Sequence, residues 1–308
     1  MKPSLYDAPG PRARRHNLLW SVLFVVALAV LVWWVVASLS DKNQLEWAKW
    51  RPFFTDPRVW TTYLLPGLRN TLLAAALAMV IALPLGALFG IARLSDHRWV
   101  RGAAGTVVEF FRAIPVLILM LFANAAYAEF TDISTDVRPL YAVVTGLVLY
   151  NGSVLAEIVR AGILALPRGQ GDAALAIGMR KNQVMRYVLL PQSVTAMMPA
   201  IVSQLVVIVK DTALGGALLG FSELLASVRP MSANYGANTI ASFTVVAVLF
   251  ILLNLTLTSF AGWLEARLRR AKRFSGAVVR PEAVEELARP GEHVGPEDLG
   301  GPEGPRGR

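Results

Sequence analysis

Long uncharged apolar runs alternate along this chain with short polar stretches, most of them basic. Leu18 to Leu39, Thr71 to Ala92, Pro139 to Ala156, Val194 to Val209 and Asn238 to Leu264 contain no Asp, Glu, Lys, Arg or His. A helix rises about 1.5 Å per residue, so runs of this order match a hydrocarbon core of about 30 Å. Ala113 to Ala128 is a shorter uncharged run that makes a full span only if residues from about Ala103 onward extend it. Pro84 interrupts the second run. Thr212 to Val228 is apolar but broken by Gly215, Gly216, Gly220 and Glu223, which suits a short, bent or partly inserted helix. The pattern predicts an all-α polytopic membrane protein with about six transmembrane helices.

Composition agrees with that class. Of 308 residues, 55% are hydrophobic, and the mean hydropathy is +0.50. A net charge of +9 would point to nucleic acid in a soluble protein. Here the basic residues flank apolar runs, as the positive-inside rule describes, and nucleic-acid binding is set aside. There is no cysteine, hence no disulfide and no thiolate metal site.

The same rule orients the chain. Residues 1–17 form a Pro-rich tail with Arg12, Arg14 and Arg15, expected in the cytoplasm, followed by a first helix over residues 18–40. The run is longer than a signal-peptide core, although Ala37-Ser38 would permit cleavage, and a retained helix is the better reading. Residues 41–66 form an external loop with Trp47, Trp50, Phe53, Phe54 and Trp60, a mixture that anchors at an interface or touches a partner. Arg93 to Arg101 and Arg160 to Arg186 fall inside, Glu129 to Asp136 outside. Residues 269–308 begin with a basic cluster that holds the C-terminus in the cytoplasm, and from Arg280 a Pro- and Gly-rich composition predicts a disordered tail.

One polar island lies between two apolar runs. Asp172 to Pro191 reads as helix, turn, helix: Asp172 caps or charge-stabilises an N-terminus, Gly178 permits the turn, and Met179 to Leu190 continues until Pro191 breaks or redirects the backbone. The spacing Asp172-Ala173-Ala174, Gly178, Val188, Leu190-Pro191 resembles the EAA loop of ATP-binding-cassette importer permeases, with Asp for Glu and Val for Ile. Ala156 to Gly162, Gly169-Gln170 and Lys210 to Leu214 are similar to the polar amino-acid subgroup (the histidine, glutamine and glutamate type). Arg112-Ala113-Ile114-Pro115 resembles that family's Arg-Gly-Thr-Pro motif with two positions changed.

The resemblance implies a type I importer permease core over residues 67–268 with a cytoplasmic coupling loop over 162–191, and it makes the first helix an addition. It further implies coupling to an ATPase through Asp172, Ala173, Ala174, Gly178, Arg180 and Pro191. Its partners would be a cytoplasmic ATPase dimer, a second permease subunit of the same or a sister chain, and an external amino-acid-binding protein, with membrane lipid around them. The substrate it implies is a polar amino acid, with a lean toward glutamate.

Polar residues inside apolar runs are the remaining candidates, because intramembrane charge is costly. Glu157 and Arg160, one turn apart, make an ion pair or leave Glu157 to meet a substrate. Glu109 and Arg112 are spaced to pair on one helix face. Gln204, Lys210 and Thr212 either line a path or pack, and Gly86-x-x-x-Gly90 serves ordinary packing or a dimer face. No phosphate-binding G-x-x-x-x-G-K-[ST] motif and no H-E-x-x-H, G-x-S-x-G or C-x-x-C occurs, so ATP is expected to be used by a partner, with no cofactor or metal on this chain. An ion-coupled secondary transporter is the alternative, and a membrane-anchored assembly protein is a third class.

Overall fold

The computed structural model describes residues 10–273, and these are helical with connecting turns. Among the described residues, five helices are long and apolar enough to cross a membrane, and a bent pair makes a sixth crossing if counted as one span. The chain divides into two compact units, residues 1–263 and 264–308. The expected tail beyond Arg280 lies outside the described residues.

Helix α1 (Pro11–Asp41) already includes the three basic residues assigned to the tail, since Pro11 supplies the fixed φ and the missing N–H that a first helical turn tolerates. Its apolar face is uncovered all the way round in the single chain. Residues 41–66 are not a loop. They fold into α2 (Trp47–Trp50), α3 (Pro52–Thr55) and a π-type turn, Val59–Leu64, that runs straight into α4 (Leu65–Ala92). Phe53, Val59 and Leu64 are buried there against Leu224, Val228, Met231 and Ala241, so the aromatic-rich stretch closes one end of the bundle as a packed cap.

Pro84 does not interrupt α4. Pro84 lies exposed on the surface of α4, and a transmembrane helix tolerates a proline through local backbone adjustment. The glycines on that helix serve contact within the chain: a Cβ on Gly86 would stand 2.6 Å from the Leu155 side chain, and one on Gly90 2.7 Å from the Ala156 carbonyl. That seam belongs to α7 (Arg138–Leu164), the central helix, which packs against four others.

The marginal run resolves into two helices. Between α5 (Arg98–Ala113) and α6 (Val116–Phe130) the axis turns by 98°, so residues before Ala113 do not extend the span. Ile114 precedes Pro115, which bars it from the helical region, and it sits extended at φ −90°, ψ 128°.

After α7 come α8 (Arg168–Ala176), α9 (Lys181–Gln183), a π-type turn over Val184–Leu189, and α10 (Leu190–Leu218). Two expectations fail here. Pro191 does not break the backbone but occupies the first turn of α10. Nor does the helix end with the uncharged run at Val209, because α10 continues through Lys210, Asp211 and Thr212 to Leu218. A turn over residues 219–227 then leads to α11 (Val228–Asn234) and α12 (Thr239–Arg273). The turn is held tightly: the Leu224 N–H donates to Thr71 Oγ1 at 3.1 Å, and the buried Glu223 carboxylate accepts the N–H groups of Leu225 at 2.7 Å and Ala226 at 2.6 Å.

Candidate functional site

The polar island and the charges nearest to it lie at the end of the bundle opposite the cap. Pro167 starts α8, so Asp172 is in mid-helix and exposed, and not at the N-terminus as its chemistry suggested. Ala173 is exposed and Ala174 buried. The helix ends as a Schellman motif: the Gly178 N–H donates to Leu175 O at 2.9 Å and the Met179 N–H to Ala174 O at 3.2 Å. Gly178 has φ +85°, the left-handed region that disfavours a Cβ, yet nothing lies within 4 Å of where one would be. It is therefore glycine for its backbone and not for space. Arg180 contributes through its main chain, its N–H donating to Gln183 Oε1 at 2.8 Å to begin α9. Around this hinge Leu175, Ile177 and Tyr187 stand exposed, and the Arg186 guanidinium lies 5.7 Å from the Tyr187 ring centre.

Behind the island is a cluster of five charged side chains. Glu157 on α7 accepts Arg93 at 2.6 Å and Arg160 at 3.1 Å, with Arg112 3.7 Å away. Arg93 also reaches Glu109 at 3.3 Å. The Glu157–Arg160 pair expected from the one-turn spacing is present, whereas Glu109 and Arg112 do not pair with each other. The bend after α5 aims Arg112 at α7, and Arg93, at the end of α4, captures Glu109 instead. One ion pair ties this platform to the island, Lys181 to Asp96 at 2.7 Å, and the Lys181 hydrogen bond and charge hold the Asp96 carboxyl below its usual range. Both of its groups are mostly exposed.

The other candidates lie elsewhere. Gln204 is buried and donates to Asn151 Oδ1, which joins α10 to α7; Asn151 Nδ2 donates onward to Leu147 O at 2.9 Å. Thr212 is buried and bonds Val209 O at 2.7 Å within its own helix. Lys210 is exposed and makes no hydrogen bond or ion pair among the described residues. Glu157 and Arg160 thus share one site with each other but not with Gln204, Lys210 or Thr212. Sequence reasoning missed Arg93, Asp96 and Asn151 as partners. The signal for Arg93 was its place as the first charge after an apolar run.

The comparisons decide the family. Residues 82–270 match the family of binding-protein-dependent transport system inner membrane components. The chain belongs to that family. It is 43% identical over 249 residues to the glutamate transport system permease protein GluD of Corynebacterium glutamicum, covering 80% of this chain and 90% of the relative. It is 29% identical over 207 residues to the glutamate/aspartate import permease protein GltJ of Escherichia coli K12, covering 63% of this chain and 83% of the relative. Among solved structures, a chain of an amino acid ABC transporter with histidines superposes with a TM-score of 0.59 at 26% identity, covering 66% of this chain and 92% of that one. The protein is therefore a multi-pass membrane component of a transport system, all-α with the type I importer permease fold.

Proposed function

We propose that this chain is the permease subunit of an ATP-driven importer of glutamate or a closely related acidic amino acid. The supporting observation is the exposed helix α8 with its left-handed glycine terminus, standing against a charge platform at the arginine-rich end of a transmembrane bundle. A short helix with apolar side chains at its exposed C-terminal end suits docking into a groove on a partner. ATP is used by that partner, a cytoplasmic ATPase pair, and this chain binds no cofactor. Arg93, Arg98, Arg101, Arg180, Lys181 and Arg186 favour the α8 end as cytoplasmic, which puts both termini inside with six crossings. A second permease subunit completes the path, and an external amino-acid-binding protein delivers substrate to the capped end. Glutamate as substrate rests on the 43% identical relative of that name.

Reconstitution in liposomes with the ATPase and binding protein tests this. Gly178→Val imposes a side chain on left-handed backbone at a cost of about 1–2 kcal/mol, while Gly178→Asn tolerates it. The Val variant is expected to lose at least about tenfold in uptake while its ATPase still turns over, with the Asn variant largely retained. Normal uptake by the Val variant, or uptake driven by an ion gradient without ATP, overturns the reading.

A further inference from the structure

Helix α5 carries Arg98, Arg101, Glu109 and Arg112 within 16 residues, too many charges for a span, and it is strongly amphipathic. Helix α6 packs against the spanning helix α7 and carries the crossing, so the 98° bend turns α5 toward the plane of the membrane surface. Its three faces suit that position. Ala104 and Val108, four apart, are buried where α5 meets α4 and α7. Arg98, Arg101, Glu109 and Arg112 share a second face at helical spacing. Trp99, Ala103 and Phe110, at i, i+4 and i+11, make a third face that is apolar and exposed, with Trp99 91% exposed. A helix with one charged flank and one aromatic-bearing apolar flank lies in the interface, headgroups on one side and acyl chains on the other.

An open groove of about 690 Å³ lies where those two flanks meet, lined by Arg98, Trp99, Gly102 and Ala103. A Cβ on Gly102 would meet nothing within 4 Å, so no neighbour in the chain requires glycine there. Arg98 makes no hydrogen bond or ion pair among the described residues. Arg101, one turn on, donates to the Ser95 carbonyl at 3.0 Å, which leaves its charge unneutralised. The acidic residue nearest in sequence, Asp96, is held by Lys181 at 2.7 Å. The groove therefore sets two cations beside an indole, at the depth where phosphodiesters lie.

We propose that this groove binds the headgroup of an anionic phospholipid. Arg98 donates to the phosphodiester oxygens through its planar fork, and Arg101 adds a second positive charge. The Trp99 ring rests at the glycerol level, and the acyl chains run along Ala103 and Phe110. A zwitterionic lipid fits the same groove, but its own ammonium cancels the attraction, so net charge sets the preference. The orientation proposed above puts the groove in the cytoplasmic leaflet; the site itself does not depend on import. A headgroup bound here pins one end of α5, whose other end brings Glu109 and Arg112 to the charges around Glu157.

The test is fluorescence quenching of the purified protein, with its copurifying subunits, in phosphatidylcholine vesicles. One set contains a minor fraction of acyl-brominated phosphatidylglycerol, the other the same fraction of acyl-brominated phosphatidylcholine. Subtracting the signal of Trp99→Phe isolates Trp99. Brominated phosphatidylglycerol is expected to quench Trp99 at least about threefold more than brominated phosphatidylcholine. Arg98→Gln should bring that ratio near one, and Arg98→Lys should keep part of it. Gly102→Leu, whose side chain fills the groove without meeting the protein, should also abolish the preference. Leucine is the better helix former, so that loss is not one of folding. Equal quenching by both lipids in the wild type means ordinary surrounding lipid and overturns the assignment, as does an unchanged ratio in Arg98→Gln. Absence of quenching by either lipid shows the face covered by protein, and loss of the phosphatidylglycerol preference on adding sodium phosphate, but not sodium chloride of equal ionic strength, shows a free-anion site; each overturns it as well. Because the readout needs no transport, any of these results leaves the import function standing.

Discussion

The two ends of the bundle differ in what lies over their apolar clusters. At the α8 end a small cluster of Val159, Ile163 and Met197 is overlaid by ionised side chains where α4, α5 and α7 meet: Glu157 holds Arg93 and Arg160 with Arg112 at the margin. At the capped end, apolar side chains of α3, α4, α11 and α12 bury one another, and polar side chains mostly bond main-chain groups, such as Asn238 Nδ2 to Lys49 O at 3.2 Å. Charge pairs of this kind can exchange partners in a wet environment, whereas a packed apolar cluster tends to be all or none. The difference fits an end that rearranges against a cap that holds its shape.

Breaking the hub should have the largest effect. Glu157→Gln leaves Arg93 to Glu109 alone and sets three guanidinium groups around a neutral amide, at a cost of about 2–3 kcal/mol for a partly buried charge network. Thermal unfolding of the detergent-solubilised protein is expected to shift down by roughly 5 °C or more, with Glu157→Asp intermediate.

The cap offers a smaller and pH-sensitive effect. The Tyr235 hydroxyl donates to Asp56 Oδ2 at 2.7 Å. Burial, then the Asp56 hydrogen bond, pushes the Tyr235 phenol from 10.0 up to about 12. The same hydrogen bond from Tyr235, then the Arg58 N–H, holds the Asp56 carboxyl below 3.8. The raised phenol stabilises the fold fully below pH 10.0, and that contribution disappears as pH rises toward 12. The lowered carboxyl contributes above 3.8 and is lost as pH falls through its folded-state value. Fluorescence of Trp50 and Trp60, whose indoles bond Gln44 O and Phe53 O, reports the cap. Tyr235→Phe should remove the alkaline transition and leave the hub untouched.

The smallest effect belongs to Lys181→Ala. An exposed pair contributes little and is screened by salt, so the unfolding midpoint should barely move at low salt and not at all in high salt.

What the sequence disclosed and withheld follows one physical line. Lipid demands that backbone groups be satisfied within the segment, so the five long uncharged runs each became part of one helix, and the Gly178 terminus was legible because left-handed backbone selects a residue type. Where chain-distant neighbours decide, the pattern was silent. Pro84 and Pro191 looked like breaks but are carried within helices, and the segment with Trp47 to Trp60 became a cap because Leu224 and Met231 were there to cover it. Glu109 and Arg112 had the right spacing to pair, and the bend at Ile114 gave each a different partner.

That right-angle bend has a further consequence for the surrounding lipid. With only 15 residues, α6 reaches roughly 22 Å along its axis, well short of the roughly 30 Å of an average acyl interior. Hydrophobic mismatch on that flank draws the two leaflets together locally, so the protein should sort toward thinner membrane and lose stability in long-chain phospholipid.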